Sequence, residues 1–282
     1  MKRFLIALTC ILLCSVAAYY FAVTNRYVFN ATPGQGGDLK VGHVNICGFA
    51  ASSDRSLSAA RMLRCSSDAG VDVLLVQEFS TDQNFDEKEF RSLAAKYFNY
   101  VSIEGECAVL SKYPISSHDR ILYSGSSGMF SSILIKAGDR DVRIFAPHLR
   151  TTGLYYFGYG NELFGGGKLT NARVVMQQNR AIRINQARCL RTALNGNKVP
   201  VIVAGDFNSM PMSRVMRIIQ RSELKDSFLE KGVGKGSTFI PLGDQLRIDA
   251  ILHDDSFECT EARVIQDELS DHRMITASFL FK

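Results

Sequence analysis

The sequence predicts an α+β domain in which two β-sheets pack face to face and helices cover their outer faces. Between Leu39 and Val203, apolar strand-like runs alternate with helix-patterned segments, an order that lays helices against a sheet. The final strand-like runs follow one another with no helix between them, which is the pattern of antiparallel pairing. The chain has 282 residues, of which 46% are hydrophobic and 22% charged, enough to bury one large core or two small ones.

The N-terminus stands apart from that domain. Met1, Lys2 and Arg3 are followed by an uncharged run, Phe4 to Val23. A basic start and an apolar run describe a secretory signal or a membrane span. Spanning a bilayer takes about 20 apolar residues, whereas signal cores run to about 7–15. The length of 4–23 therefore favours an uncleaved anchor over cleavage near Ser15–Ala18, with the remainder exported to the periplasmic or extracellular side. Residues 24–38, with the run GQGG, read as a flexible tether, and 39–282 as the folded domain.

Within that domain LKVGHVNI (39–46) reads as a strand and Ser56–Ala69 as a helix, with Leu57, Ala60, Met62 and Leu63 on apolar spacings. VDVLLVQEF (71–79) is a buried strand and Glu87–Phe98 a second helix. CAVLSKYPI (107–115) is a strand ending near a proline. SSILIKA (131–137) and DVRIFAPHL (141–149) form a hairpin around Gly138 and Asp139. Residues 150–171 are an insertion rich in Gly and Tyr that follows His148 directly and so borders any site there. Ala172–Leu194 is a long basic helix. VPVIV (199–203) is a buried strand, Ser213–Ser222 a helix, and RIDAILHD (247–254), FECTEARVI (257–265) and RMITASFLF (273–281) are strands.

Charge and cysteine content narrow the chemistry little. Net charge is +5, which suits an anionic partner without demanding one. Cys47, Cys65, Cys107, Cys189 and Cys259 match no metal spacing, and most of them read as small buried hydrophobes. The histidines, at 43, 118, 148, 253 and 272, are scattered without zinc-ligand spacing, which argues against a zinc hydrolase.

The informative residues are the polar ones that interrupt apolar strands: Asn45, Glu78, His148, Asp206, Asn208, Asp249, Asp271 and His272. Taken singly, each has a structural use. Asp206 and Asn208 start turns, Arg247 offers Asp249 a local partner, and a lone histidine is usually a satisfied one. Taken together they are harder to explain, because burying a charge is costly unless it is paired or bound to metal. Their shared position at strand ends points to one pocket. Carboxylates without a cysteine or multi-histidine set suit a hard ion such as Mg²⁺ or Mn²⁺. Histidine near aspartate supplies an oriented base or a phosphate partner. This is equipment for metal-assisted hydrolysis of a phosphate ester.

The pieces HVNI, LLVQEF, FAPHL, GDFNSMP, RIDAIL and SDHRM, in that order across residues 39–281, resemble the endonuclease/exonuclease/phosphatase superfamily, which includes deoxyribonuclease I. The resemblance implies a four-layer αββα sandwich, two mixed and mainly antiparallel sheets flanked by helices, with the site at one end. It implies that Glu78 binds the divalent metal with Asn45 and Asp271 beside it. His272, oriented by Asp249, takes the proton of the attacking water or stabilises the phosphate. Asp206 positions or activates the nucleophile, Asn208 holds it or a phosphate oxygen, and His148 contacts phosphate. A glutamate supporting a catalytic histidine would be Glu104, Glu106 or neither. The expected activity is Mg²⁺-dependent phosphodiester hydrolysis by a monomer, on nucleic acid or on a phospholipid headgroup of the sphingomyelin type. An inositol-type phosphatase and a non-catalytic binding module of the same fold are the rival readings.

Overall fold

The computed structural model describes residues 36–50, 54–81, 85–153, 168–241 and 246–282, with Ser15 standing alone. Its strands are β1 (Leu39–Asn45), β2 (Val73–Gln77), β3 (Tyr100–Glu104), β4 (Cys107–Ser111), β5 (Ile115–Leu122), β6 (Met129–Ala137), β7 (Arg140–Pro147), β8 (Val201–Asp206), β9 (Lys225–Asp226), β10 (Gly232–Val233), β11 (Asp249–His253), β12 (Phe257–Val264) and β13 (Ile275–Phe281). Its α-helices are α1 (Arg55–Asp68), α2 (Glu87–Ala94), α3 (Lys168–Asn195), α4 (Arg214–Gln220) and α5 (Ser227–Lys231). One sheet runs β10-β12-β13-β1-β2-β4-β3 and the other β5-β6-β7-β8-β11-β9. Each is mixed: β1 and β2 are parallel in the first and β7 and β8 in the second, amid antiparallel neighbours.

Strand alternation assigns the layers. In β2, Val73 and Leu75 point between the sheets, while Leu74 and Val76 point outward under α1 and α2 with Met62, Leu63 and Phe90. In β8, Ile202 and Ala204 face the first sheet, and Val201 and Val203 face α3 and α4 with Leu190 and Ile219. Central strands buried on both faces are why these runs read as continuously apolar. The result is the four-layer arrangement expected. The helices start where capping chemistry allows. Asp54 accepts from the Leu57 N–H, Asp86 from Glu89 and Ser213 from Met216.

Several elements depart from the sequence reading. Strands β3 and β5 carry partly exposed polar residues and sit at the edges of the two sheets, where hydrophobic patterning is weak. The run 107–115 is therefore β4 and the start of β5, broken by Pro114. Helix α2 ends at Ala94 rather than Phe98. Helix α3 begins at Lys168, inside the segment taken as insertion. The consecutive strands β11 and β12 do not pair. β11 joins β8 and β9 in the second sheet, and β12 joins β13 in the first. Apart from Ser15, the run 4–23 lies outside the described residues, as do 24–35 of the tether and 154–167 of the insertion. Among the described residues no helix is long and apolar enough to cross a membrane. Of the described cysteines, Cys65, Cys107 and Cys259 are buried thiols, in keeping with the sequence reading.

Candidate active site

The strand-end residues converge. Asn45 closes β1, Gln77 closes β2 with Glu78 next, His148 follows β7 and Asp206 closes β8. Asp249 opens β11 opposite Asp206, and His272 precedes β13, which runs antiparallel to β1. Two sheets whose strands end together therefore deliver all of these groups to one end of the sandwich. A cavity of about 650 Å³ opens there, lined by Glu78, His148, Asp206, Asn208, Asp271 and His272 among others.

Asp206 is the hub. Its Oδ1 accepts from the Asn208 N–H at 2.7 Å, and its Oδ2 from the Asn208 side chain at 3.1 Å and the Asn45 amide at 3.4 Å. His148 Nε2 and His272 Nε2 stand 3.8 and 4.0 Å from that same oxygen. Burial and the Asp249 charge push the Asp206 carboxyl above the usual carboxylate range, against the pull of His272 and His148. Asn208 spends its amide hydrogens on Asp206 and on the Leu149 carbonyl at 3.0 Å, so it orients the carboxylate. Its φ of +45° is the left-handed conformation asparagine tolerates. The same turn that GDFN makes also places Asp206 at the cavity.

Asp249 serves two histidines. Its Oδ2 lies 2.8 Å from His272 Nδ1 and its Oδ1 3.0 Å from His43 Nε2. Burial disfavours its charge, but the hydrogen bonds and charges around it hold its carboxyl well below the ordinary range. An ionised carboxylate only accepts, so both ring nitrogens donate. His272 is thereby locked with Nδ1–H on Asp249 and Nε2 towards Asp206 and the cavity. Burial opposes a charge on His272 too, yet Asp249, Asp206 and Asp271 carry its pKa up to about 10. Arg247, the local partner that sequence offered Asp249, instead forms a buried bidentate pair with Asp226 at 3.0 and 2.9 Å.

Glu78 and Asp271 make a second, acidic half. Glu78 Oε1 accepts from the Asn45 amide at 2.8 Å and stands 3.5 Å from His148 Nε2. Burial, then Glu78 and Asp249, raise the Asp271 carboxyl against the pull of His272. Burial, then Asp271 and Glu78, push the Cys47 thiol at the cavity rim up to about 11. Asp271 Oδ1 is buried without a hydrogen-bond partner. A hard divalent cation would satisfy that oxygen and relieve the crowding, so Glu78 and Asp271 fit such an ion. Asn45 reaches the site through its amide nitrogen, because its Oδ1 accepts from the Cys47 N–H at 3.0 Å. Asp206, Asp249 and His272 also offer ligand atoms within 4.8 Å of one another. Both Asp249 oxygens already accept from histidines. Glu104 and Glu106 line the cavity, while the ion pairs of His148 among the described residues go to Glu78 and Asp206.

The profile of the endonuclease/exonuclease/phosphatase family matches residues 42–272, from β1 to His272. The chain belongs to this family. Its members hydrolyse phosphoesters and typically use a divalent metal, and the site assembled here is equipped for that class. A search of curated proteins yields no match. Among solved structures, an endonuclease/exonuclease/phosphatase family protein from Leptotrichia buccalis superposes with TM-score 0.61 at 18% identity, covering 86% of this chain and 100% of that one. Sphingomyelinase C from Streptomyces griseocarneus gives 0.58 at 17%, covering 88% and 99%. A mannosyl-6-phosphatase from Bacteroides thetaiotaomicron gives 0.61 at 14%, covering 86% and 100%. At these identities the likeness establishes the fold.

Sequence reading missed two residues that hold the strand-end groups in place. Gln77 donates from Nε2 to the Pro147 carbonyl at 2.8 Å and accepts the Asp206 N–H on Oε1 at 2.9 Å, joining the two sheets directly beneath the hub. A polar residue ending the buried run VLLVQ was the available signal. His43 carried another: a histidine inside an apolar strand needs a buried partner, and here it is Asp249.

Proposed function

We propose that this protein is a phosphodiesterase dependent on Mg²⁺ or Mn²⁺, acting on nucleic acid. The observation that carries the reading is the pairing, in one cavity, of the Asp249–His272–Asp206 set with the acidic Glu78–Asp271 pair. Asp206 takes the proton of the attacking water, while His272, held protonated by the acids around it and aimed by Asp249, stabilises the phosphate. His148 presents Nε2 to a phosphate oxygen. Asn45 and Asn208 hold the two carboxylates in register. A cation held by Glu78 and Asp271 would neutralise charge developing on the phosphate oxygens. The +5 net charge favours a polyanionic substrate.

Residues 1–23 serve as an anchor, 24–38 as a tether and 39–282 as an exported, monomeric catalytic domain; support comes from the apolar run after Lys2 and Arg3. Cleavage of a phospholipid headgroup on the same site is the second reading, favoured by the likeness to a sphingomyelinase C and by that apolar run.

The test assays the purified full-length chain in detergent against plasmid DNA, RNA, sphingomyelin and a bis-aryl phosphodiester, with Mg²⁺ and with EDTA. Nucleic-acid hydrolysis that vanishes in EDTA and falls at least ~10²-fold in Asp206→Asn is expected. In Glu78→Ala the Mg²⁺ concentration for half-maximal rate rises. Turnover of sphingomyelin alone would move the substrate to lipid. Undiminished turnover in folded Asp206→Asn would refute the site.

A further inference from the structure

Outside the catalytic cavity, the seam between α3 and α4 forms a second concavity of about 490 Å³. Five arginines line it: Arg188 and Arg191 from α3, and Arg214 and Arg217 on α4 with Arg221 at its C-cap. None of the five makes an ion pair or a side-chain hydrogen bond among the described residues, and four of them are exposed, with Arg191 half-buried. The three on α4 and its C-cap are spaced i, i+3, i+7, which puts them on one stripe about 10 Å long. That stripe faces the pair on α3 across the groove. An ordinary solvated helix face intersperses acids with bases; five like charges turned on one another repel until an anion arrives.

We propose that this groove binds the phosphate backbone of a nucleic-acid strand, as a site separate from the catalytic cavity. The substrate class rests on the phosphodiesterase reading above; the groove itself rests on its own residues. All five bases are arginines, whose planar fork pairs with phosphate in bidentate fashion, and no lysine lines the groove. A concave track of regularly placed guanidiniums follows an extended backbone. A membrane-docking face instead mixes bases with exposed apolar anchors, whereas Ile218, the apolar residue lining this groove, is buried.

The position is suited to feeding the active site. Only the loop 209–212 separates Asn208 from Ser213, the N-cap of α4. Gln186, on the cavity wall, shares α3 with Arg188 and Arg191. A strand lying in the groove thus runs along the two elements, α3 and the start of α4, that also lead to the cavity. The groove adds affinity for a long polyanion and contributes nothing to the hydrolysis of a small diester.

The experiment compares the full-length chain with the variant Arg191→Gln/Arg217→Gln/Arg221→Gln. Binding of a fluorescein-labelled 20-nucleotide single strand is followed by anisotropy in EDTA, across a NaCl series. Sedimentation with vesicles of phosphatidylcholine and phosphatidylglycerol runs beside it. Bis-aryl diester hydrolysis with Mg²⁺ is the control for fold and chemistry. The expected result is a ~10–100-fold weaker oligonucleotide affinity and a log–log salt slope reduced by about 2, with diester hydrolysis unchanged. Equal affinity and slope in both proteins would overturn the proposal, as would a loss confined to vesicle binding, which would assign the groove to a lipid surface. If wild type binds the strand through these arginines but hydrolyses no diester, the groove stands and the phosphodiesterase reading falls.

Discussion

Asp249 is one buried carboxylate with two histidines on it, and its environment decides what both can do. His272 faces the cavity, whereas His43 is wholly buried and never meets substrate. His43 is therefore a positioning residue: it holds the second oxygen of Asp249 so that the first stays on His272. A hydrogen bond to a charged group is worth about 1.5–3 kcal/mol. His43→Leu is expected to lower kcat by ~10–100-fold with KM little changed, and His43→Gln, which restores a donor, to recover most of it. Steady-state kinetics on a small diester checks this; a change in KM alone would mean that His43 only packs.

At the scale of elements, the ends of β7 and β8 are held unusually close. A Cβ on Gly205 would lie 2.1 Å from the Pro147 carbonyl oxygen, so the position before Asp206 admits no side chain. The same carbonyl is the acceptor for Gln77. Gly205→Ala must push β7 away from β8 and with it His148 away from Asp206. Loss of activity of ~10²-fold or more is expected, together with a lower Tm, measured by circular dichroism on the purified variant. Glu78 illustrates a related constraint. It leaves β2 with φ +53°, a conformation that costs a non-glycine residue of order 1 kcal/mol or more, and that turn delivers its carboxylate to Asn45 and His148.

For the whole molecule, each sheet carries half of the site. The first contributes Asn45, Gln77, Glu78, Asp271 and His272 from its strands and their flanks; the second contributes His148, Asp206, Asn208 and Asp249. The halves meet only because the sheets pack with these strand ends aligned, and Gln77 bonds across that boundary. Gln77→Leu strands a buried backbone N–H and a buried C=O, at about 1–3 kcal/mol each. A drop of about 2–6 kcal/mol in unfolding free energy, with a concurrent fall in kcat, is expected from urea denaturation and diester kinetics. A variant that lost stability but kept full kcat would show that the alignment does not depend on this bond.

Local chemistry along the chain determined much of this. Strands buried on both faces announced themselves as unbroken apolar runs, as in VLLVQ and VIVAG, and the polar residues at their ends stood out because burial makes them costly. The family motifs then placed Glu78, Asp206, Asn208, Asp249, Asp271 and His272, and the fold was legible as layers. Partners were not legible, because they depend on which strands become neighbours. Arg247 lies two residues from Asp249 yet pairs with Asp226, because it precedes β11 and the packing of Asp226 against it supplies the nearer carboxylate. The edge strands β3 and β5, half-exposed, carried no apolar signal, and the separation of β11 from β12 into different sheets is a choice made by the core. The bond from His43 to Asp249, spanning more than two hundred residues of chain, and the arginine groove between α3 and α4 exist only once the sheets and helices have packed. Sequence sets which groups are expensive to bury; the tertiary structure decides who stands next to them, because a side chain's energy depends on its neighbours in space.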